Sequence, residues 1–104
     1  MNKFNRSLIR QKVLEIAPRL QELLPPNPHH PKGRIAIAHC YHVMKTLFGQ
    51  KIEFVSDNRL QDALDIIQFC ADNPLEPHIC TQIRHLYPPE PEQPKSHNLE
   101  EFLH

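Results

Sequence analysis

Four stretches of the chain repeat apolar residues at the three- and four-residue spacing that places them on one side of an α-helix. The predicted helices cover residues 8–24, 35–48, 59–72 and 77–87. No two stretches alternate as a pair of β-strands would. The pattern therefore predicts an all-α domain over residues 1–87, in the form of a small four-helix bundle.

The ends of these helices are marked by residues that favour caps. Ser7 precedes the first helix, and Asp57 or Asn58 precedes the third; each side chain can accept a hydrogen bond from the first helical turn. Gly49 follows the second helix and suits a left-handed C-cap. Pro18 lies inside the first helix, opposite its apolar stripe, and predicts either a bend around the core or a break into two short helices.

The apolar side of each helix is expected to face the core. In the second helix this side comprises Ala36, Ile37, Cys40, Val43, Met44, Leu47 and Phe48. In the third it comprises Leu60, Ala63, Leu64, Ile66, Ile67, Cys70 and Ala71, and in the fourth Ile79, Cys80, Ile83, Leu86 and Tyr87. Phe69 falls on the polar side of the third helix, so we expect it to pack under a neighbouring loop, with an acidic-rimmed docking surface as the alternative.

Two segments outside the helices have a different pattern. Residues 51–56 are predicted to form an extended connector, with Ile52 and Phe54 pointing inward and Glu53 outward. Residues 88–98 contain four prolines and no large apolar side chain, so burial cannot offset the entropy lost on ordering. The sequence therefore predicts a disordered, acidic, Pro-rich tail over residues 88–104.

The end of this tail recovers an apolar pattern. Leu99, Phe102 and Leu103 recur at helical spacing beside acidic residues. Such a segment is typical of a short motif that folds as a helix into a partner's groove. The alternatives are a frayed terminus and a tail that docks on the basic half of its own chain.

Charge is the compositional feature that changes this picture most. The 104 residues have zero net charge, yet residues 1–52 carry a net charge of +7 and residues 53–104 a net charge of −7. A division of this kind indicates either an anion-binding surface or two solvated faces that differ. The basic residues that we predict to bind a partner are Arg6, Arg10, Lys12, Lys32 and Arg34.

The residues that could support chemistry form no specific motif. The chain contains an odd number of cysteines, and no two of them are closely spaced. We therefore expect reduced thiols in the core at Cys40, Cys70 and Cys80. His39 and His42 could hold a metal from one side of the second helix, but a closed site needs four ligands. We predict no cofactor, and we find no nucleophile beside a base, so an enzyme is not expected.

Two leading classes of function remain, beside a metal-binding helical protein that uses His39 and His42. The favoured one is a small, cytoplasmic, non-enzymatic regulatory or adaptor protein that acts through protein contacts, by the basic set and by Leu99, Phe102 and Leu103. The alternative is a nucleic-acid-binding regulator that uses the basic N-terminal half, or residues 59–87 as a degenerate helix-turn-helix. No long apolar run suggests a membrane span, and a homo-oligomer is compatible with a bundle this small.

Overall fold

A computed structural model describes residues 1–24, 26, 28, 35–73 and 82–91 of the chain. Within these residues the fold is helical and contains no strand, which confirms the predicted all-α class. The α-helices are α1 (Lys3–Leu23), α2 (Ala36–Phe48) and α3 (Leu60–Asp72). Two short 3₁₀ helices, Ile52–Phe54 and Asp57–Arg59, connect α2 to α3. Most of the predicted fourth helix, including Ile79 and Cys80, lies outside the described residues.

Helix α1 begins five residues earlier than the sequence pattern predicted. Its N-cap is Asn2, whose side-chain oxygen accepts a 2.7 Å hydrogen bond from the backbone N–H of Asn5. The prediction of Ser7 as the cap is wrong, because its hydroxyl donates to the carbonyl of Phe4 inside the helix. The helix also continues through Pro18, so the predicted alternative of a break into two helices is wrong.

Helix α2 lies within one residue of its predicted bounds. Gly49 ends it with φ of 76°, the left-handed conformation that glycine adopts without strain, and its N–H donates to the carbonyl of Lys45 at 2.8 Å. The predicted core residues of this helix are buried except Ile37, which is 36% exposed. Ile37 therefore belongs to the surface of the domain.

The connector between α2 and α3 differs most from its prediction. Val55 is buried, with 1% exposure, whereas Phe54 is 55% exposed. The alternation expected of an extended segment is lost because this segment forms a 3₁₀ turn. Asp57 caps no helix; its carboxylate accepts hydrogen bonds from the backbone of Asn2 at 2.6 Å and the side chain of Asn5 at 3.3 Å.

Contacts between the helices define their relative directions. Asn2 bonds to Asp57, and the Lys12 ammonium donates to the Gln68 side chain at 2.8 Å, so α1 and α3 run parallel. The backbone N–H of Ala36 donates to the Gln21 side chain at 2.8 Å, which brings the end of α1 to the start of α2. Helix α2 is therefore antiparallel to both of its neighbours.

The core lies among the three helices and includes two of the thiols. Cys40 of α2 and Cys70 of α3 are fully buried and reduced, as predicted, while Cys80 lies outside the described residues. A hydrogen bond from Cys70 lowers the pKa of the Cys40 thiol, against the opposing effect of burial. The other residues of the core include Ile9, Val13, Leu20, Ala36, Val43, Met44, Leu47, Phe48, Val55, Ala63, Ile66 and Ile67.

The segment after the undescribed residues 74–81 packs on this core. Only residues 82–83 are helical; residues 84–86 form a turn, so the predicted helix does not extend to Tyr87. Ile83 and Tyr87 are buried as predicted, but Leu86 is 52% exposed. The rings of Phe69 and Tyr87 meet edge to face at 6.2 Å, which confirms that Phe69 packs under a neighbouring segment.

The predicted start of the disordered tail is also wrong. Residues 88–91 lie against the domain, and the backbone N–H of Glu90 donates to the carbonyl of Phe48 at 2.8 Å. The polar contacts that hold Glu90 stabilise this segment, whereas the prediction counted only apolar burial. Residues 92–104 lie outside the described part of the chain.

Candidate functional site

One side of α1 carries basic residues followed by apolar ones. Its members recur at spacings of three or four residues, which places them on the same side of the helix. They are Lys3, Arg6, Arg10, Leu14, Pro18 and Gln21. The first half of this side is therefore positively charged, and the second half exposes Leu14 and Pro18 to solvent.

The adjoining side of α2 continues this surface. Ile37, Tyr41 and Lys45 recur at four-residue spacing and share one side of the helix. Arg10 lies close enough to the Tyr41 hydroxyl to affect its pKa, and Gln21 bonds to Ala36, so this side adjoins α1. We call the joint surface of Lys3, Arg6, Arg10, Leu14, Pro18, Gln21, Ile37, Tyr41 and Lys45 the α1–α2 face.

The α1–α2 face contains no acidic residue. Helix α2 has no Asp or Glu; of the two acidic residues of α1, Glu15 lies away from this face, and Glu22, one turn after Pro18, borders its apolar end. Among the described residues, ion pairs form only between Arg59 and two carboxylates, Asp62 and Glu90. The cations of the face are therefore not neutralised by any carboxylate in the part of the chain that the structure describes.

Tyr41 is half-buried at the middle of the face. Burial raises the pKa of its hydroxyl, and the positive charge of Arg10 lowers it in part. The net direction is upward, so Tyr41 is a neutral hydrogen-bonding group at physiological pH. An aromatic side chain with a polar tip beside a cation is a common composition for the centre of a protein interface.

The opposite end of the face is apolar. Leu14 is 45% exposed and Ile37 is 36% exposed, and both lie between the Arg10–Tyr41 and Gln21–Ala36 contacts. Exposed Pro18 follows Leu14 by one helical turn. Because α1 and α2 are antiparallel, Lys3, Arg6, Arg10 and Lys45 gather at the other end. The face is thus basic at one end and apolar at the other.

The structure divides the basic set that the sequence predicted. Arg6 and Arg10 lie on the α1–α2 face, whereas Lys12 lies on the side of α1 that meets α3 and bonds to Gln68. The remaining predicted binding residues lie outside the described residues: Lys32, Arg34, Leu99, Phe102 and Leu103. Sequence reasoning missed Lys3, Leu14, Tyr41 and Lys45, although continuing the Arg6–Arg10 spacing along α1 reaches Leu14.

A second charged cluster joins α3 to the segment after Tyr87. Arg59 donates to Asp62 at 2.7 Å and to Glu90 at 3.3 Å, and its guanidinium stacks over the Phe48 ring at 4.7 Å. The Ser56 hydroxyl and backbone N–H also donate to the Glu90 carboxylate. The Ser56 bonds contribute most to lowering the Glu90 pKa, followed by Arg59, against the opposing effect of burial. We call Ser56, Arg59, Asp62 and Glu90 the Arg59 cluster.

The described residues give little support to the metal site and the recognition helix considered from the sequence. His39 is half-buried and His42 is exposed, and the described residues contain no group of three His, Cys, Asp or Glu side chains suited to a metal. Gln82, Arg84 and His85 are exposed, but the last two belong to a turn rather than to a recognition helix. None of the helices in the described ranges is long and apolar enough to cross a membrane.

Comparison with known proteins gives no further information about this surface. The chain matches no known protein family, no curated protein and no solved structure. What the α1–α2 face can bind is therefore inferred from its charges, its contacts and its exposed side chains.

Proposed function

We propose that this chain is a small, non-enzymatic regulatory or adaptor protein that acts through protein–protein contacts. The α1–α2 face is its binding surface, and the partner supplies a segment with both acidic and apolar side chains. The proposal includes a cytoplasmic location and a fourth helix, as the sequence pattern predicts.

The observation that carries this proposal is the composition of the α1–α2 face. Lys3, Arg6, Arg10 and Lys45 have no carboxylate partner among the described residues, and exposed Leu14 and Ile37 lie at the other end. Cations steer and orient an acidic partner, while apolar side chains contribute most of the affinity when they are buried. Arginine and tyrosine are also enriched among the residues that dominate binding energy at interfaces.

Affinity purification of the intact chain tests this function when it is done with matched variants. Leu14→Glu/Ile37→Glu places two carboxylates on the face, whereas Phe54→Glu/Leu86→Glu alters two similarly exposed apolar residues elsewhere. We expect the first variant to lose bound proteins that the second retains, with both showing wild-type circular dichroism. The same protein set in both variants would contradict a role for the face.

A second function is favoured by the cations of the face, taken without its apolar end. If the face binds phosphates, a labelled oligonucleotide should bind the full chain with an affinity that falls steeply as salt rises, by a log–log slope of about 0.9 per phosphate contact. Arg6→Glu/Arg10→Glu should then abolish binding, while Leu14→Ala/Ile37→Ala, which adds no charge, should weaken it much less. Fluorescence anisotropy at several salt concentrations distinguishes this outcome from protein binding, in which the apolar residues matter most.

A further inference from the structure

The point at which the C-terminal segment leaves the domain is fixed by hydrogen bonds. Glu90 is held by Ser56, Arg59 and the carbonyl of Phe48. The Gln50 side chain donates to the carbonyls of Glu90 at 3.3 Å and Pro91 at 2.9 Å. Pro91, the last described residue of this segment, therefore lies beside Gln50, just beyond the C-terminal end of α2.

The following residues are long enough to reach the α1–α2 face. Helix α2 rises 1.5 Å per residue, so Ile37 lies about 20 Å along the axis from Gln50, and Tyr41 lies nearer. Pro91 and Leu99 are eight residues apart, which allows a span of about 26 Å when the chain is extended. The apolar residues at the end of the tail can therefore reach both ends of the face.

The tail also complements the face in charge and in apolar character. Glu100 and Glu101 supply carboxylates, and Leu99, Phe102 and Leu103 supply apolar side chains at helical spacing. The face offers cations that have no carboxylate partner among the described residues, and it exposes Leu14 and Ile37. The other charged surface is a poorer fit, because the acidic residues of α3 would repel the tail.

Attachment to the domain favours such an interaction even when it is weak. A segment joined by a short linker has an effective concentration of the order of millimolar at its binding site. A tail with a dissociation constant of about 1 mM would then occupy the face for about half of the time. A separate partner with the same chemistry has to displace the tail before it binds.

We propose that the α1–α2 face binds the C-terminal segment Leu99–Leu103 of its own chain. The carboxylates of Glu100 and Glu101 pair with the basic end, and the apolar side chains cover Leu14 and Ile37. The tail thereby competes with outside ligands for the same surface. Only this competition rests on the proposed function; docking of the tail does not.

A single tryptophan provides the test, because the chain contains none. In the full-length Phe102→Trp protein we expect blue-shifted emission and an acrylamide quenching constant about twofold lower than that of a freely exposed tryptophan. Adding Leu14→Glu/Ile37→Glu should remove this protection, and adding Phe54→Glu/Leu86→Glu should leave it unchanged. Circular dichroism of each variant confirms that the domain is folded.

Charge reversal tests the predicted orientation independently. Arg6→Glu/Arg10→Glu or Glu100→Lys/Glu101→Lys should each expose the tryptophan, and the combination of both pairs should restore protection. Rescue by the combined variant would not occur if either change acted only by unfolding the domain.

Three outcomes would overturn the proposal. A fully exposed tryptophan in the wild-type background means that the tail does not dock, and protection that survives Leu14→Glu/Ile37→Glu means that it docks elsewhere. Protection that increases with protein concentration means that the tail binds a second copy. The proposed function can stand even if the tail does not dock. In that case the tryptophan is exposed, but Leu14→Glu/Ile37→Glu still loses its bound proteins. The failure of tail docking is therefore distinguishable from the failure of the proposed function.

Discussion

Arg59 and Arg10 show two uses of the same side chain in one small domain. Arg59 is largely buried, pairs with Asp62 and Glu90, and stacks over Phe48. Arg10 is exposed and has no carboxylate partner among the described residues; its described neighbour is the Tyr41 hydroxyl. The Arg59 cluster therefore joins parts of the chain to one another, while the α1–α2 face leaves its charges available to a ligand.

The difference lies in what surrounds each cation. A buried charge must be paired and hydrogen-bonded, because it has lost its water, so its partners belong to the fold itself. An exposed charge keeps its water and contributes little to stability whether or not it is paired. Removing each arginine in turn therefore tests whether the two regions are as different as their contacts indicate.

Arg59→Ala should have the largest effect on stability. It leaves the buried Glu90 carboxylate without its cation and removes the stacking over Phe48, so we expect a loss of about 3 kcal/mol in the free energy of unfolding. Arg10→Ala, the matched control, should change it by less than about 0.5 kcal/mol. Urea unfolding followed by circular dichroism measures both, and equal losses would contradict the comparison.

Glu90→Gln should have a smaller, pH-dependent effect. The pKa of Glu90 is lowered in the folded state, so its carboxylate stabilises the fold above its ordinary pKa of 4.5. That stabilisation is lost as the pH falls from there through the lowered pKa. At neutral pH we expect the variant to lose about 2 kcal/mol, since it weakens hydrogen bonds to a charged group.

Urea unfolding as a function of pH measures this difference. The gap between wild type and Glu90→Gln should close in acid, because the wild-type carboxyl is then also neutral. Glu15→Gln, on an exposed side of α1, serves as the control and should follow the wild type. A gap that stays constant with pH would show that Glu90 acts through packing rather than charge.

The smallest expected effect is spectroscopic and sharpens the description of the α1–α2 face. Because Arg10 lowers the pKa of Tyr41, Arg10→Ala should raise it further above its ordinary value. A Tyr87→Phe background leaves Tyr41 as the single tyrosine, so alkaline titration by ultraviolet absorbance reports on it alone. Lys12→Ala, on the other side of α1, should leave the titration unchanged; an equal shift would contradict the Arg10–Tyr41 contact.

Periodicity predicted the local features of the fold well. The spacing of apolar residues located α2 and α3 to within one residue, and Gly49 identified a left-handed cap, because these depend on neighbours within one or two turns. The start of α1 could not be predicted in the same way. Asn2 is held there by Asp57, a residue 55 positions away, which the sequence pattern had offered, with Asn58 as the alternative, as the cap of α3.

The same limit applies to the candidate site. Arg6 and Arg10 could be selected for their charge, but their separation from Lys12 depends on which helix each side of α1 contacts. Ile37 was assigned to the core because its spacing fits the apolar stripe of α2. The burial of Glu90 was missed because its stabilising partners, Ser56 and Arg59, are more than thirty residues earlier in the chain.

The parallel arrangement of α1 and α3 has a consequence for the rate of folding. The hydrogen bonds that join these helices connect residues 55 and 56 positions apart, whereas α2 and α3 are separated by a short connector. Closing the longer loop costs more chain entropy before any contact compensates for it. We therefore expect α2 and α3 to associate first, and the arrival of α1 to limit how fast the native domain forms.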